Sequence, residues 1–113
     1  MITSGPAKKL SVYVDESDKT GGKPVYEALL DLFYRNKIAG VSVFRGIAGY
    51  GSDGVFHTAK MLELSISLPV MLVAVDSGEM INSVLPAVTA VVKKGLVEIS
   101  DTYVVTCCGG KDD

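Results

Sequence analysis

The residues best suited to chemistry in this 113-residue chain gather around one glycine-rich stretch. Gly49-Tyr50-Gly51-Ser52-Asp53-Gly54 matches the spacing G-x-G-x-x-G, and Asp76 follows about 20 residues later. Such spacing serves a dinucleotide when a strand precedes it and a crossover helix follows, because backbone amides then meet a pyrophosphate at the helix start. Val55 to Leu64 is short for that helix, and Ser65 to Pro69 interrupts any continuation. The glycines therefore read as a loop that allows φ > 0 and brings N–H groups near an anion, or else as a plain link between strands.

Arg45 stands just before Gly46 and offers a rigid donor fork that suits phosphate or carboxylate; an ordinary ion pair at an edge or interface is the other use for it. His57, the single histidine, has no acidic or cysteine partner at motif spacing, so a solvated loop residue is its default reading. In Asp18-Lys19-Thr20-Gly21-Gly22-Lys23-Pro24, two lysines and two glycines precede a helix start, which makes an anion cradle or simply a solvated charged face. The Walker spacing is absent there. No nucleophile and base, carboxylate pair or metal constellation is apparent, so no catalytic residue and no metal site is expected, and the chain reads as a non-enzyme. Cys107 and Cys108 are adjacent and lack zinc-ligand spacing. They read as two small residues near the end of the chain, with a strained vicinal bridge or a redox role as the alternative.

These groups must be positioned by a single domain, since 113 residues provide for one core. The composition is 48% hydrophobic and 21% charged, with a formal charge of −2. No basic stripe is present, which argues against a nucleic-acid partner. Met1 to Leu10 has no apolar signal-like core and no apolar run approaches membrane-spanning length, so a cytoplasmic, not membrane-inserted protein is expected.

Leu10–Val14 is a predicted strand, and Val25, Leu29, Leu32 and Phe33 define one face of a helix that starts after Pro24 and ends near Gly40. Val41–Arg45 and Leu68–Val75 are predicted strands. Ile81, Val84, Leu85, Val88 and Val92 mark a second helix, which Pro86 should kink or split. Leu96–Val105 is the last strand, with a bulge or bend expected near Asp101. The domain is expected over 9–106, with an N-terminal segment 1–8 and a disordered tail 107–113. The order β-α-β-β-α-β predicts an α+β, ferredoxin-like sandwich, with both helices on one face of a four-stranded antiparallel sheet. Val70-Met71-Leu72-Val73-Ala74-Val75 is apolar at every position, so apolar groups must also line the uncovered face. Self-association is the expected cover, ahead of loop side chains.

Asp18-Lys19, Gly22-Lys23-Pro24, Arg45-Gly46, Gly49-Tyr50-Gly51, His57 and Leu68-Pro69 leading to Asp76 occur in an order that resembles the PII-like signalling family. The likeness is to its branch known as domain of unknown function one-ninety, within the nitrogen regulatory PII-like superfamily, and runs from about Leu10 to Val105. It implies a homotrimer that binds an adenine nucleotide or related small molecule in inter-subunit clefts, with no covalent cofactor. It also implies that Gly49 to Ser65 corresponds to the flexible T-loop through which a target protein, for example a membrane transporter, is regulated. Lys19, Lys23, Arg45, Gly46, Gly49, Gly51 and His57 are the nucleotide-site residues so expected. Two features depart from nitrogen regulators: the Lys93-Lys94-Gly95 turn has no room for their glycine-rich phosphate loop, and Val55 to Ser65 lacks a tyrosine to be modified. The alternative is a structural or metal-tolerance type trimer that acts as a docking module without nucleotide sensing.

Overall fold

The structure, a computed structural model, describes residues 2–58 and 67–108. Four long strands form one antiparallel sheet: β1 (Gly5–Asp15), β4 (Gly40–Arg45), β7 (Pro69–Asp76) and β8 (Leu96–Val104), in the order β4-β7-β1-β8. Helices α1 (Val25–Arg35) and α2 (Gly78–Val91) connect them as the ferredoxin-like topology requires. Four short strands complete the fold. β2 (Lys19–Thr20) pairs with β3 (Lys23–Pro24), and β5 (Ala48–Gly49) pairs with β6 (His57–Thr58). No helix among the described residues is long and apolar enough to cross a membrane.

The core lies between the helices and one sheet face. Leu10, Val12 and Val14 of β1 and Val70, Leu72 and Ala74 of β7 meet Leu29, Phe33, Ile81, Val84 and Val88 from the helices, all buried. Each large side chain among these, taken wholly out of water, contributes about 1.5–3 kcal/mol. Along β7 burial alternates strictly, with Met71, Val73 and Val75 half-buried on the other face. That alternation is the two-sided apolar strand expected from the sequence. Neither helix lies over the second face.

Several boundaries differ from expectation for physical reasons. β1 starts at Gly5 rather than Leu10, because Gly5 to Ala7 pair with β8 alone. Pro6 lies in this one-sided stretch, beyond the end of β7, where its missing donor leaves no neighbour short of a bond. β8 keeps continuous register from Tyr13↔Leu96 to Gly5↔Val104, so the bulge expected near Asp101 does not occur. The first helix ends at Arg35, not near Gly40, in a Schellman turn. Lys37 takes φ 60°, its N–H donates to the Tyr34 carbonyl, and the Ile38 N–H donates to the Phe33 carbonyl. Ile38 is thereby turned into the core. Helix α2 passes Pro86 unsplit. Asn82, whose carbonyl loses its helical donor there, is exposed, and water can serve it. Cys107 and Cys108 form a vicinal disulfide, while the rest of the expected tail, 109–113, lies outside the described residues.

Two further positions hold the sheet to its loops. The Asp76 carboxylate, fully buried, accepts from the Ala39 N–H at 2.8 Å and the Ser77 N–H at 2.7 Å, so it ties the α1–β4 link to the start of α2. Gly95 takes φ +120°, and a Cβ there would stand 2.3 Å from the Tyr13 carbonyl oxygen. Replacing Gly95 by alanine is expected to lower the unfolding free energy by at least about 2 kcal/mol in urea titrations, through backbone strain and the clash. Asp76→Ala strands two amides and should cost about 2 kcal/mol or more in the same measurement.

Candidate functional site

At the end of the sheet where β4 and β1 finish and β7 and β8 begin, four side chains form one row across all four strands. Phe44 pairs with Met71, Met71 with Tyr13, and Tyr13 with Leu96. All four point from the uncovered face, where the strand alternation puts them. They floor a cavity of about 760 Å³ whose rim is Arg45, Gly46, Gly49, Tyr50, Gly51, Asp53, His57 and Lys94. One end is thus apolar and aromatic, the other polar and rich in backbone amides. Glu98, hydrogen-bonded to the Tyr13 hydroxyl at 3.3 Å, pushes that phenol above its ordinary value of 10.0, chiefly through its negative charge.

The rim is closed by a clamp at the stem of the β4–β7 connection. Arg45 Nε donates to both Glu16 carboxylate oxygens, at 3.0 and 3.2 Å, and its Nη2 lies 2.9 Å from Oε1. Glu16 Oε1 also accepts the Leu68 N–H at 2.8 Å, and the Glu16 N–H donates back to the Leu68 carbonyl at 2.9 Å. Hydrogen bonding from Arg45 holds the Glu16 carboxyl below its ordinary value; burial opposes this, and the Leu68 amide and the arginine charge add to it. Gly46 N–H donates to the Pro69 carbonyl at 2.7 Å.

The glycines serve this stem in an unexpected way. A Cβ at Gly46 would stand 2.9 Å from the Pro69 ring, and one at Gly49 would stand 3.2 Å away. Close approach, not positive φ, calls for glycine at Gly46, and at Gly49 a side chain would fit only if the Pro69 ring gave way slightly; within the G-x-G-x-x-G stretch only Gly54 has φ > 0. After the glycines the chain enters β6, not a helix, and Asp76 is occupied by backbone amides, so the dinucleotide fingerprint is not in use. On the β5–β6 ribbon the Tyr50 and Phe56 rings pack at 4.9 Å, with both residues largely exposed.

Of the seven residues singled out from the sequence, Arg45, Gly46, Gly49, Gly51 and His57 share this cavity. His57 Nε2 lies 3.6 Å from an Asp15 oxygen, and Asp15 accepts from the Ser67 hydroxyl. Lys19 lines a smaller hollow of about 270 Å³ next door, together with Lys93 and Lys94. The two spaces share Asp18 and Lys94, whose charged groups stand 3.8 Å apart. Lys23 borders neither; it closes a hairpin whose Gly21 and Gly22 both take positive φ, as a type I′ turn needs. Glu16, Tyr13, Phe44, Met71 and Leu96 were missed. The last four carry only strand signals in the sequence, and Glu16 is one of several charges in a polar run. Residues 59–65 of the expected T-loop lie outside the described residues.

Comparison with known proteins agrees with this architecture. The family profile DUF190, described as Uncharacterized ACR, matches residues 7–104. A UPF0166 protein of Methanocaldococcus jannaschii is 40% identical over 99 residues, covering 87% of this chain and 91% of the relative. A UPF0166 protein of Aquifex aeolicus is 33% identical over 98 residues, covering 87% and 92%. Among solved structures, CPII from Thiomonas intermedia K12, a nitrogen regulatory PII-like protein bound to ADP, AMP and bicarbonate, superposes with a TM-score of 0.68 at 23% identity, covering 92% of each chain. A putative PII-like signaling protein from Thermus thermophilus gives 0.65 at 14% identity, covering 92% of this chain and 94% of the other. Both structures share the fold of this chain, and the family match spans the sheet, both helices and the glycine-rich rim: the chain belongs to the DUF190 family.

Proposed function

We propose that this protein is a trimeric PII-like signalling module rather than an enzyme, and that it binds an adenine nucleotide or related small molecule in clefts between subunits. The observation that carries the reading is the position of the cavity. Its floor, Phe44, Met71, Tyr13 and Leu96, belongs to the uncovered sheet face, so a second copy seated on that face would wall the same space. An adenine ring suits the apolar end, and a phosphate suits the end built from Arg45 and the amides of Gly46 to Gly51. The similar fold of CPII, which was crystallised with ADP and AMP, supports this choice of ligand. Regulation of a partner protein, a membrane transporter being one candidate, would run through the segment joining β4 to β7, whose stem forms the rim of the cavity. Lys19 and Lys23 enter the site only if the neighbouring copy brings them there.

Light scattering at micromolar concentration is expected to give three times the mass of the single chain, and Met71→Asp, which places a charge on the face that a second copy would cover, is expected to give monomers. Calorimetric titration should show binding of ADP or AMP, with Tyr13→Ala weakening it by about 1–3 kcal/mol through loss of a stacking surface. A monomeric wild-type chain would sink the shared-cleft reading. Thermal stability that ignores nucleotides but shifts with a divalent metal would favour the docking or metal-tolerance alternative.

A further inference from the structure

A guanidinium has five N–H donors, and the way Arg45 uses them is unusual for a residue at the rim of an open cavity. Its contact with Glu16 is side-on: Nε and Nη2 take the carboxylate. Among the described residues no partner takes the two Nη1 hydrogens or the second one on Nη2, and one from each nitrogen forms the end-on edge of the fork. The Arg45 side chain is 59% exposed, against 26% for that of Glu16, so the pair has an inner, anchored member and an outer, available one. Glu16 cannot easily follow the arginine if it moves. Its carboxylate is held by the Leu68 amide, and its own N–H is held by the Leu68 carbonyl.

We propose that Glu16 is a positioning residue for anion recognition: it fixes Arg45 side-on, so that the end-on Nη1/Nη2 edge meets a terminal phosphate or carboxylate of the ligand. The proposal rests on the reading of the cavity as a nucleotide site. Glu16 also formally cancels the charge of Arg45, so what the arginine gives the ligand is directional hydrogen bonding more than net charge. Lysine at position 45 would keep the charge and lose the fork. The same carboxylate oxygen that receives Arg45 receives Leu68, so an anion on the outer edge is linked by two hydrogen bonds to the residue where the β4–β7 connection returns to the sheet.

The test uses the full chain and calorimetric titration with ADP for the wild type, Glu16→Gln, Arg45→Lys and the double variant. The amide oxygen introduced by Glu16→Gln can still accept the Leu68 N–H, so the stem is retained, while its NH2 replaces the oxygen that accepts Arg45 Nε at 3.2 Å and, as a donor, turns against the guanidinium, which also loses the carboxylate charge. Glu16→Gln is expected to weaken ADP about three- to tenfold, the cost of re-ordering one long side chain at binding. Arg45→Lys should weaken it at least as much, and the double variant should be no weaker than Arg45→Lys alone, because Glu16 acts through the arginine. In 1H–15N spectra the Arg45 Nε–H should be protected from exchange in the wild type and markedly less protected in Glu16→Gln. Unchanged or tighter ADP binding by Glu16→Gln, beside weakened Arg45→Lys, would overturn the inference and leave the nucleotide reading standing. An equal loss from Glu16→Gln in both backgrounds would also overturn it, since the effect would not pass through Arg45. Absence of ADP binding by the wild type would remove the nucleotide reading, and this inference with it.

Discussion

A sheet has two faces, and the two helices of this fold can cover only one. The central pair, β1 and β7, supplies apolar side chains to both sides: Leu72 and Val12 go into the core, while Met71, Val73 and Tyr13 go the other way. The covered side accounts for the stability of the single chain, because Leu10, Leu29, Phe33, Leu72 and Ile81 are all removed from water there. The uncovered side has a different consequence. It leaves a row of aromatic and aliphatic groups at one edge of the sheet, and the polar loop ends converge on that same edge.

That convergence follows from topology. β4 and β7 are neighbours in antiparallel register, so the connection between them must leave and return at the same end of the sheet. The end of β1 and the start of β8 reach that end too. Arg45 at one strand end, Glu16 just past another and Leu68 just before a third are therefore brought within hydrogen-bonding distance, although they are far apart in sequence. The clamp lets one carboxylate serve both ends of a connection, and it gives the cavity a rim of fixed geometry instead of a loose one. Gly46 and Gly49 complete the rim by letting the backbone lie against the Pro69 ring.

The features that the sequence made legible are those with a local physical cause. Helical periodicity exposed the buried stripe of α1, with Val25, Leu29, Leu32 and Phe33 all buried as expected. The unbroken apolar run of β7 exposed a sheet with two greasy faces. The errors fell at positions where a partner from elsewhere in the chain decides the outcome. β1 is longer than its hydrophobic pattern because β8 extends it, and α1 stops early because Lys37 adopts a left-handed turn that sends Ile38 into the core. Of the two outcomes expected at Pro86, a split of α2 does not occur, and the carbonyl left without a donor belongs to the exposed Asn82.

For the site the division is similar. Arg45, the glycines and His57 were recognisable because their chemistry is unusual wherever they stand. Tyr13, Phe44, Met71 and Leu96 look like ordinary strand residues, and only register makes them a single row. Glu16 is one acid among several until the fold sets it between Arg45 and Leu68. Residue type and periodicity thus determined the elements, the two-sided sheet and the polar end of the cavity, since these depend on neighbours a few positions away. Which side chains face one another across strands depends on pairings tens of residues apart, and the tertiary structure alone decided them.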